Sequence, residues 1–174
     1  MKQKSKAPLI VSGALTALIL AVMDIFLLPA VERAAGGLRC FDLQTFGYDY
    51  ATAKAFLTAL SEEGRQLYQF VQIPVDTAFL IVYTVFFVLA LRRLFASKAA
   101  LILPALLAIA DFAENTCTFL MLRDPGVLTP QTGAVFGTVT LVKTLLMYAV
   151  FVLLLVGLIR YFVQRKKKTT QNEA

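Results

Sequence analysis

Four long apolar runs, separated by polar or basic breaks, dominate the chain; they cover about residues 9–28, 70–91, 99–122 and 134–159. A membrane-crossing helix needs about 20 mainly apolar residues, and each run meets that length. The first stops at Pro29 and the second at Arg92-Arg93. The third stops at Arg123-Asp124-Pro125-Gly126, and the fourth at Arg160. The pattern predicts an all-α protein: a four-transmembrane-helix bundle forming a single integral membrane domain over 1–174. The first run follows Lys2, Lys4 and Lys6, as the apolar part of a signal peptide would. It exceeds the usual length of about 7–15 residues, and no A-x-A cleavage site follows, so it reads as a retained span.

Residues 31–69 are the only sizeable piece between spans. Gly36-Gly37 and Gly47 punctuate a loop. Asp49 then stands as N-cap to a helix over 50–60, whose Phe56, Leu57 and Leu60 form one apolar face. This is an extra amphipathic helix between spans one and two, expected on the outer surface. Gly64 is expected to interrupt it, and Arg65 to Phe70 to lead into the second span. Pro74 and Pro104 are expected to bend the second and third spans, because proline frees a backbone carbonyl.

Composition agrees with the pattern. Apolar residues make up 59% and charged residues 16% of the chain, and mean hydropathy is +0.73. A soluble domain would be about 45–50% apolar and about 25% charged. There is no His, which excludes a Ser-His-Asp triad, a His-ligated zinc and a bis-His haem. No cofactor-binding motif is present, and nothing points to nucleic acid. The net charge of +6 concentrates at Lys2, Lys4, Lys6, Arg92, Arg93, Lys98 and the basic tail over 160–174. The positive-inside rule places that side, with both termini, in the cytoplasm. Short loops and basic flanks fit a bacterial inner membrane. The run Arg165–Lys168 reads chiefly as a topology anchor.

The informative residues are ionisable groups inside the spans: Asp24, Asp76, Asp111, Glu114 and Lys143. Each costs about 2.5–3.5 kcal/mol at mid-helix on insertion scales. At the helical rise per residue, all five fall in one slab, from the bilayer centre to about 8 Å outward. Asp111, Glu114, Asn115 and Thr118 share one helical face. Arg65, Gln69, Gln72, Asp76 and Tyr83 form a stripe on the second span. Gly13, Ala17, Ala21 and Asp24 form a small-residue stripe on the first, and Thr140, Lys143 and Thr144 share a face on the fourth. Four carboxylates then oppose one ammonium, which favours protonation, a bound cation or basic ligand, or a wet site open to the outside. The candidate ligand-binding set is Asp24, Arg65, Gln72, Asp76, Asp111, Glu114, Asn115 and Lys143. The plainer alternative is that these groups only join helices through hydrogen bonds.

Two cysteines are present, Cys40 in the loop and Cys117 in span three. A disulfide between them requires the loop to fold onto the bundle. The other reading is two free thiols behaving as small hydrophobes. No C-x-x-C supports thiol oxidoreduction.

The run Glu62-Glu63-Gly64-Arg65-Gln66-Leu67-Tyr68, through Gln72 and Pro74 to Asp76, with Asp111-Phe112-Ala113-Glu114-Asn115 and Lys143, resembles a pattern in small four-span bacterial integral membrane proteins. The resemblance implies the four-helix layout and supplies no activity, ligand or catalytic residue.

Three functions follow. The first is binding or transport of a proton, hard cation or amine at an acidic layer open to the outer side, with transport calling for a homo-oligomer. The second is a structural or accessory subunit with a partner membrane protein. The third is a lipid-modifying enzyme; it lacks G-x-S-x-G, H-E-x-x-H or any phosphotransferase signature, so the chain reads as a non-enzyme before an enzyme.

Overall fold

The computed structural model describes residues 6–172. Lys2 and Lys4, assigned above to the basic flank, lie outside the described residues, as do the side chains of Lys167 and Lys168. The described chain is helical, without strands. Four helices are long and apolar enough to cross a membrane: Ala7–Ala34, Glu62–Leu94, Lys98–Arg123 and Pro130–Lys166. The protein is an all-α, multi-pass membrane bundle.

The first span is α1 (Ala7–Val22), a π-helical turn over Met23–Leu27, and α2 (Leu28–Ala34). Pro29 therefore does not end it. The N–H of Leu28 bonds the carbonyl of Met23, five residues back. A proline ring clashes with the carbonyl four residues before it, and one widened turn makes room without breaking the rod. The same device recurs on the second span, which comprises α4 (Glu62–Leu67), a π turn over Tyr68–Gln72, and α5 (Ile73–Leu94). There the Ile73 N–H bonds the Tyr68 carbonyl, immediately before Pro74.

Between them lies α3 (Tyr50–Ala59), capped by Asp49, whose carboxylate accepts from the Thr52 N–H at 2.8 Å. The break before α4 falls at Leu60-Ser61, not at Gly64 as expected. Leu60 is extended, and the Ser61 hydroxyl caps α4 by accepting from the Gly64 N–H at 3.1 Å. Gly64 sits inside α4 because a Cβ there would meet Ala34 Cβ at 2.4 Å. Its role is close approach between spans one and two.

The third span opens with a 3-10 turn over Lys98–Leu101 and continues as α6 (Ile102–Arg123). Pro104 lies in the first turn of α6, where its missing N–H has no intrahelical partner to lose. The last helix, α7 (Pro130–Asn172), runs past Arg160 without interruption.

α5 is the hub. It packs against α1, α6 and α7, while α6 and α7 pack on each other and α3 rests on α7. At one end, the Ser61 N–H donates to the Ala34 carbonyl at 3.0 Å, and the loop over 35–61 lies across the bundle. At the other, Arg160 stands 5.8 Å from the Phe95 ring, and Leu9, Arg93 and Tyr161 line one groove. The basic residues Arg93 and Arg160 thus gather at the end opposite the loop.

Candidate functional site: a closed acidic layer

Three helices and the loop build one buried polar layer. The inward row of the second span is Tyr68 and Gln72 from its π turn, then Asp76, Leu80 and Tyr83 from α5, all buried. The inward row of α6 is Asp111, Glu114, Asn115 and Thr118, as the spacing predicted. α7 contributes Thr140 and Lys143.

Each carboxylate has its own donor. The Asn115 amide donates to Asp76 Oδ2 at 2.7 Å. Tyr83 Oη donates to Asp111 Oδ2 at 2.5 Å. The Lys143 ammonium donates to Glu114 Oε2 and lies 3.5 Å from Asp111 Oδ1. Tyr68 Oη donates to Asp42 Oδ2. One ammonium thus bridges Glu114 and Asp111, the Tyr83 phenol adds a second donor to Asp111, and one amide and one phenol serve Asp76 and Asp42. Charge-assisted bonds of this kind are roughly twice as strong as neutral ones.

Two predicted site residues stand apart. Asp24 is exposed on the outside of the first span. The inward row of α1 runs through Ser12, Thr16, Ile19 and Met23, and Asp24 is one residue, about 100°, around from it. The small-residue stripe is therefore not the buried face, although Gly13 at its edge touches Phe86. Arg65 points to backbone instead: it donates to the Leu122 carbonyl at 2.7 Å and the Leu57 carbonyl at 3.4 Å. It ties the ends of α3 and α6 to α4.

The fourth carboxylate of the layer is Asp42, from the loop, rather than Asp24. It reaches Tyr68 and lies within electrostatic range of Asp76, Glu114 and Lys143. Its signal in the sequence is its setting: Cys40, Phe41 and Leu43 are apolar residues that a water-facing loop has no use for. Tyr68, Tyr48 and Thr140 are further members not named as site residues.

The layer is closed, against the expectation of a site open to the outer side. Gln72 is 0% exposed, Glu114 2%, Asp111 3% and Asp76 5%. The loop is the cover. Phe41 packs at 4.8 Å against Tyr48, tilted, and at 4.8 Å edge-on against Phe56, and Phe41 and Phe56 both pack on Tyr68. Toward the basic end, Tyr83 meets Phe79 and Phe87, followed by Leu107 and Val150. Aromatic and aliphatic side chains thus bound the layer on both sides. The cover is held by glycine notches on α7. A Cβ on Gly137 would meet the Tyr48 carbonyl oxygen at 1.8 Å, and one on Gly133 would meet Tyr50 Cα at 2.9 Å. Gly47, at φ +76, turns the chain down into that notch.

Several buried polar atoms lack a hydrogen bond in this conformation: both amide atoms of Gln72, Glu114 Oε1, Thr140 Oγ1 and Tyr48 Oη. Thr140 lies beside both Tyr48 and Glu114. Burial, then the Glu114 charge, push the Tyr48 phenol well above its ordinary range, so it stays a neutral donor. Burial, then Asp42 and Glu32, push the Cys40 thiol up as well.

Both cysteines are free. The loop does fold onto the bundle, but Cys40 is spent in the apolar cover beneath Phe41, while Cys117 sits half-buried on α6. Among the described residues, no three His, Cys, Asp or Glu side chains converge as ligands of a metal ion.

The fold and the layer define a small polytopic membrane protein with an internal ion-pair network. No family model, curated protein or solved structure matches the chain.

Proposed function

We propose that this protein binds a proton at its intramembrane acidic layer, with the basic end in the cytoplasm of a bacterial inner membrane. The observation that carries this reading is the ratio of charges: Asp111 and Glu114 contact the single ammonium of Lys143, and Asp42 and Asp76 lie within electrostatic range of it. Four ionised carboxylates sharing one cation in a low dielectric repel one another, and taking up a proton relieves that repulsion. A proton needs no cavity. A hard divalent cation takes about six to eight oxygen ligands, and these carboxylates are already engaged by Asn115, Tyr83, Lys143 and Tyr68. The orientation follows from the basic flanks.

Apolar side chains close the layer toward both ends in this conformation, Phe41 and Phe56 on the loop side and Phe87, Leu107 and Val150 on the basic side, so proton exchange with either side calls for one of these covers to move. The reading is thus proton binding, with release across the membrane requiring a second conformation. The test is infrared difference spectroscopy of the purified full chain between mildly acidic and mildly alkaline pH. The reading expects a carboxylic-acid carbonyl band that is altered by Glu114→Gln or Asp111→Asn. A spectrum without such a band, or one that both variants leave unchanged, overturns it.

A further inference from the structure

We infer that the outward face of the first span, centred on Asp24, is the docking surface for a transmembrane helix of another protein that carries Lys or Arg. This inference is independent of proton binding at the acidic layer.

Asp24 is exposed on the bundle surface, in the π turn over Met23–Leu27, with the exposed Ile25 and Phe26 beside it. Its depth follows from the loop-end contacts. Ala34 is level with Ser61 and Gly64, and Asp24 lies ten residues below Ala34. That is about 15 Å down the axis. Counting the same ten residues along the antiparallel second span, from Ser61 and Gly64, reaches Val71 to Pro74, level with the buried Gln72 and within about one turn of Asp76. Asp24 therefore lies at the depth of the buried layer but on the lipid side. An aspartate side chain is too short to reach water over that distance, and an ionisable group left there costs about a hundredfold in insertion equilibrium, on scales of about 2.5–3.5 kcal/mol. Its side chain has no hydrogen bond or ion pair among the described residues.

The surroundings suit a helix. Ala14, Ala17 and Ala21 share the outward face with Asp24, and Ala14 and Ala17 are exposed. Small side chains there let a second backbone come close. α1 packs chiefly on α5, so most of its circumference is uncovered.

Charge decides the occupant. A second copy of this chain has no cation to offer at that depth. Its one mid-span cation, Lys143, is engaged by Asp111 and Glu114 inside the bundle. The other described Lys and Arg residues lie at span ends or in loops. Two copies meeting on this face would oppose Asp24 with Asp24. A foreign helix bearing one Lys or Arg complements it.

The experiment places the fluorescently labelled full chain in phosphatidylcholine vesicles with synthetic Leu/Ala membrane-spanning peptides. These carry Lys, Leu or Glu at the matching depth, and energy transfer reports association. We expect the Lys peptide to bind about tenfold or more tightly than the Leu peptide, and Asp24→Asn to erase that difference. Ala21→Leu, which fills the face and keeps the charge, should weaken the Lys peptide too. Equal binding of Lys and Leu peptides, preference for Glu, or indifference to Asp24→Asn overturns the inference. Self-association of the chain that Asp24→Asn abolishes also overturns it, assigning the face to a second copy. Because Asp24 is exposed, Asp24→Asn leaves the buried packing intact, and an unchanged melting temperature checks this.

Discussion

Tyr83 Oη donates to Asp111 Oδ2 at 2.5 Å, joining α5 to α6 at the floor of the acidic layer. The same ring packs at 5.1 Å on Phe79 and 5.5 Å on Phe87. Polar and apolar contributions of this residue are therefore separable. Tyr83→Phe keeps the ring and leaves Asp111 Oδ2 without its donor, which should cost about 1–2 kcal/mol. Tyr83→Ala also opens a cavity, and aromatic truncations in packed cores cost about 3–5 kcal/mol. Unfolding in a denaturing detergent titration should rank wild type above Tyr83→Phe, and that above Tyr83→Ala. Tyr83→Phe as stable as wild type would show that the hydroxyl contributes nothing, and equal losses for the two variants would show that the ring packing contributes nothing.

Lys143 serves two carboxylates on one helix, so its neighbours should not behave additively. Lys143→Met leaves Asp111 and Glu114 facing each other without their cation, and breaking a buried ion pair from one side costs about 3–5 kcal/mol. Glu114→Gln leaves Lys143 paired with Asp111 and should cost less. Combining the two removes one positive and one negative charge together, so the double variant should lose less than the sum of the single losses. A full thermodynamic cycle by chemical unfolding measures this. Strict additivity would mean that the Lys143–Glu114 pair contributes no coupling.

Asp49 gives a pH dependence with a definite sign. The Thr52 side chain, then its N–H, hold the Asp49 carboxyl below its ordinary range in the folded chain. A group with a depressed folded pKa contributes stability above its unfolded pKa and loses it as pH falls through the folded one. The first turn of α3 should therefore fray on acidification. The protection of the Thr52 amide, its exchange rate relative to the intrinsic rate at each pH, should fall on acidification, and Asp49→Ala should remove that pH dependence. The carboxyl is fully exposed, so the effect is local to α3.

The span count, the Asp49 cap and the inward row of α6 were legible in the sequence, because each rests on a period or a spacing within one helix. The places that escaped depend on contacts between segments. Asp24 lies on a stripe of small residues that suggests close packing, but α1 turns its Ser12–Met23 row inward, and nothing within span one says which face α5 will cover. Pro29 reads locally as a stop, yet one π turn absorbs it. Gly64 reads as a breaker and is instead the point where α4 meets Ala34. Asp42 is 34 residues from Asp76 in sequence, and only the folding of the loop onto the bundle brings it into range.

That folding itself is open to test through Gly137 and Cys40. The Tyr48 backbone lies so close on α7 that a Cβ at position 137 would meet its carbonyl oxygen at 1.8 Å. No side-chain rotation relieves a clash with backbone, so Gly137→Ala must lift the Gly47–Tyr48 segment or displace α7, at about 1–3 kcal/mol for an overpacked contact. Cys40 reports the result. It is 0% exposed, and burial, followed by the Asp42 and Glu32 charges, raises its thiol pKa. The thiolate is the nucleophile, so in the wild type Cys40 should react with a water-soluble maleimide far more slowly than a free peptide thiol. In Gly137→Ala it should react markedly faster, with Cys117→Ser present in both chains so that a single thiol is counted. Phe41→Ala, which thins the cover without touching α7, should also expose Cys40. If the thiol is fast in the wild type, or unchanged in both variants, the loop is not the seal over Asp42, Tyr68 and the carboxylates beneath them.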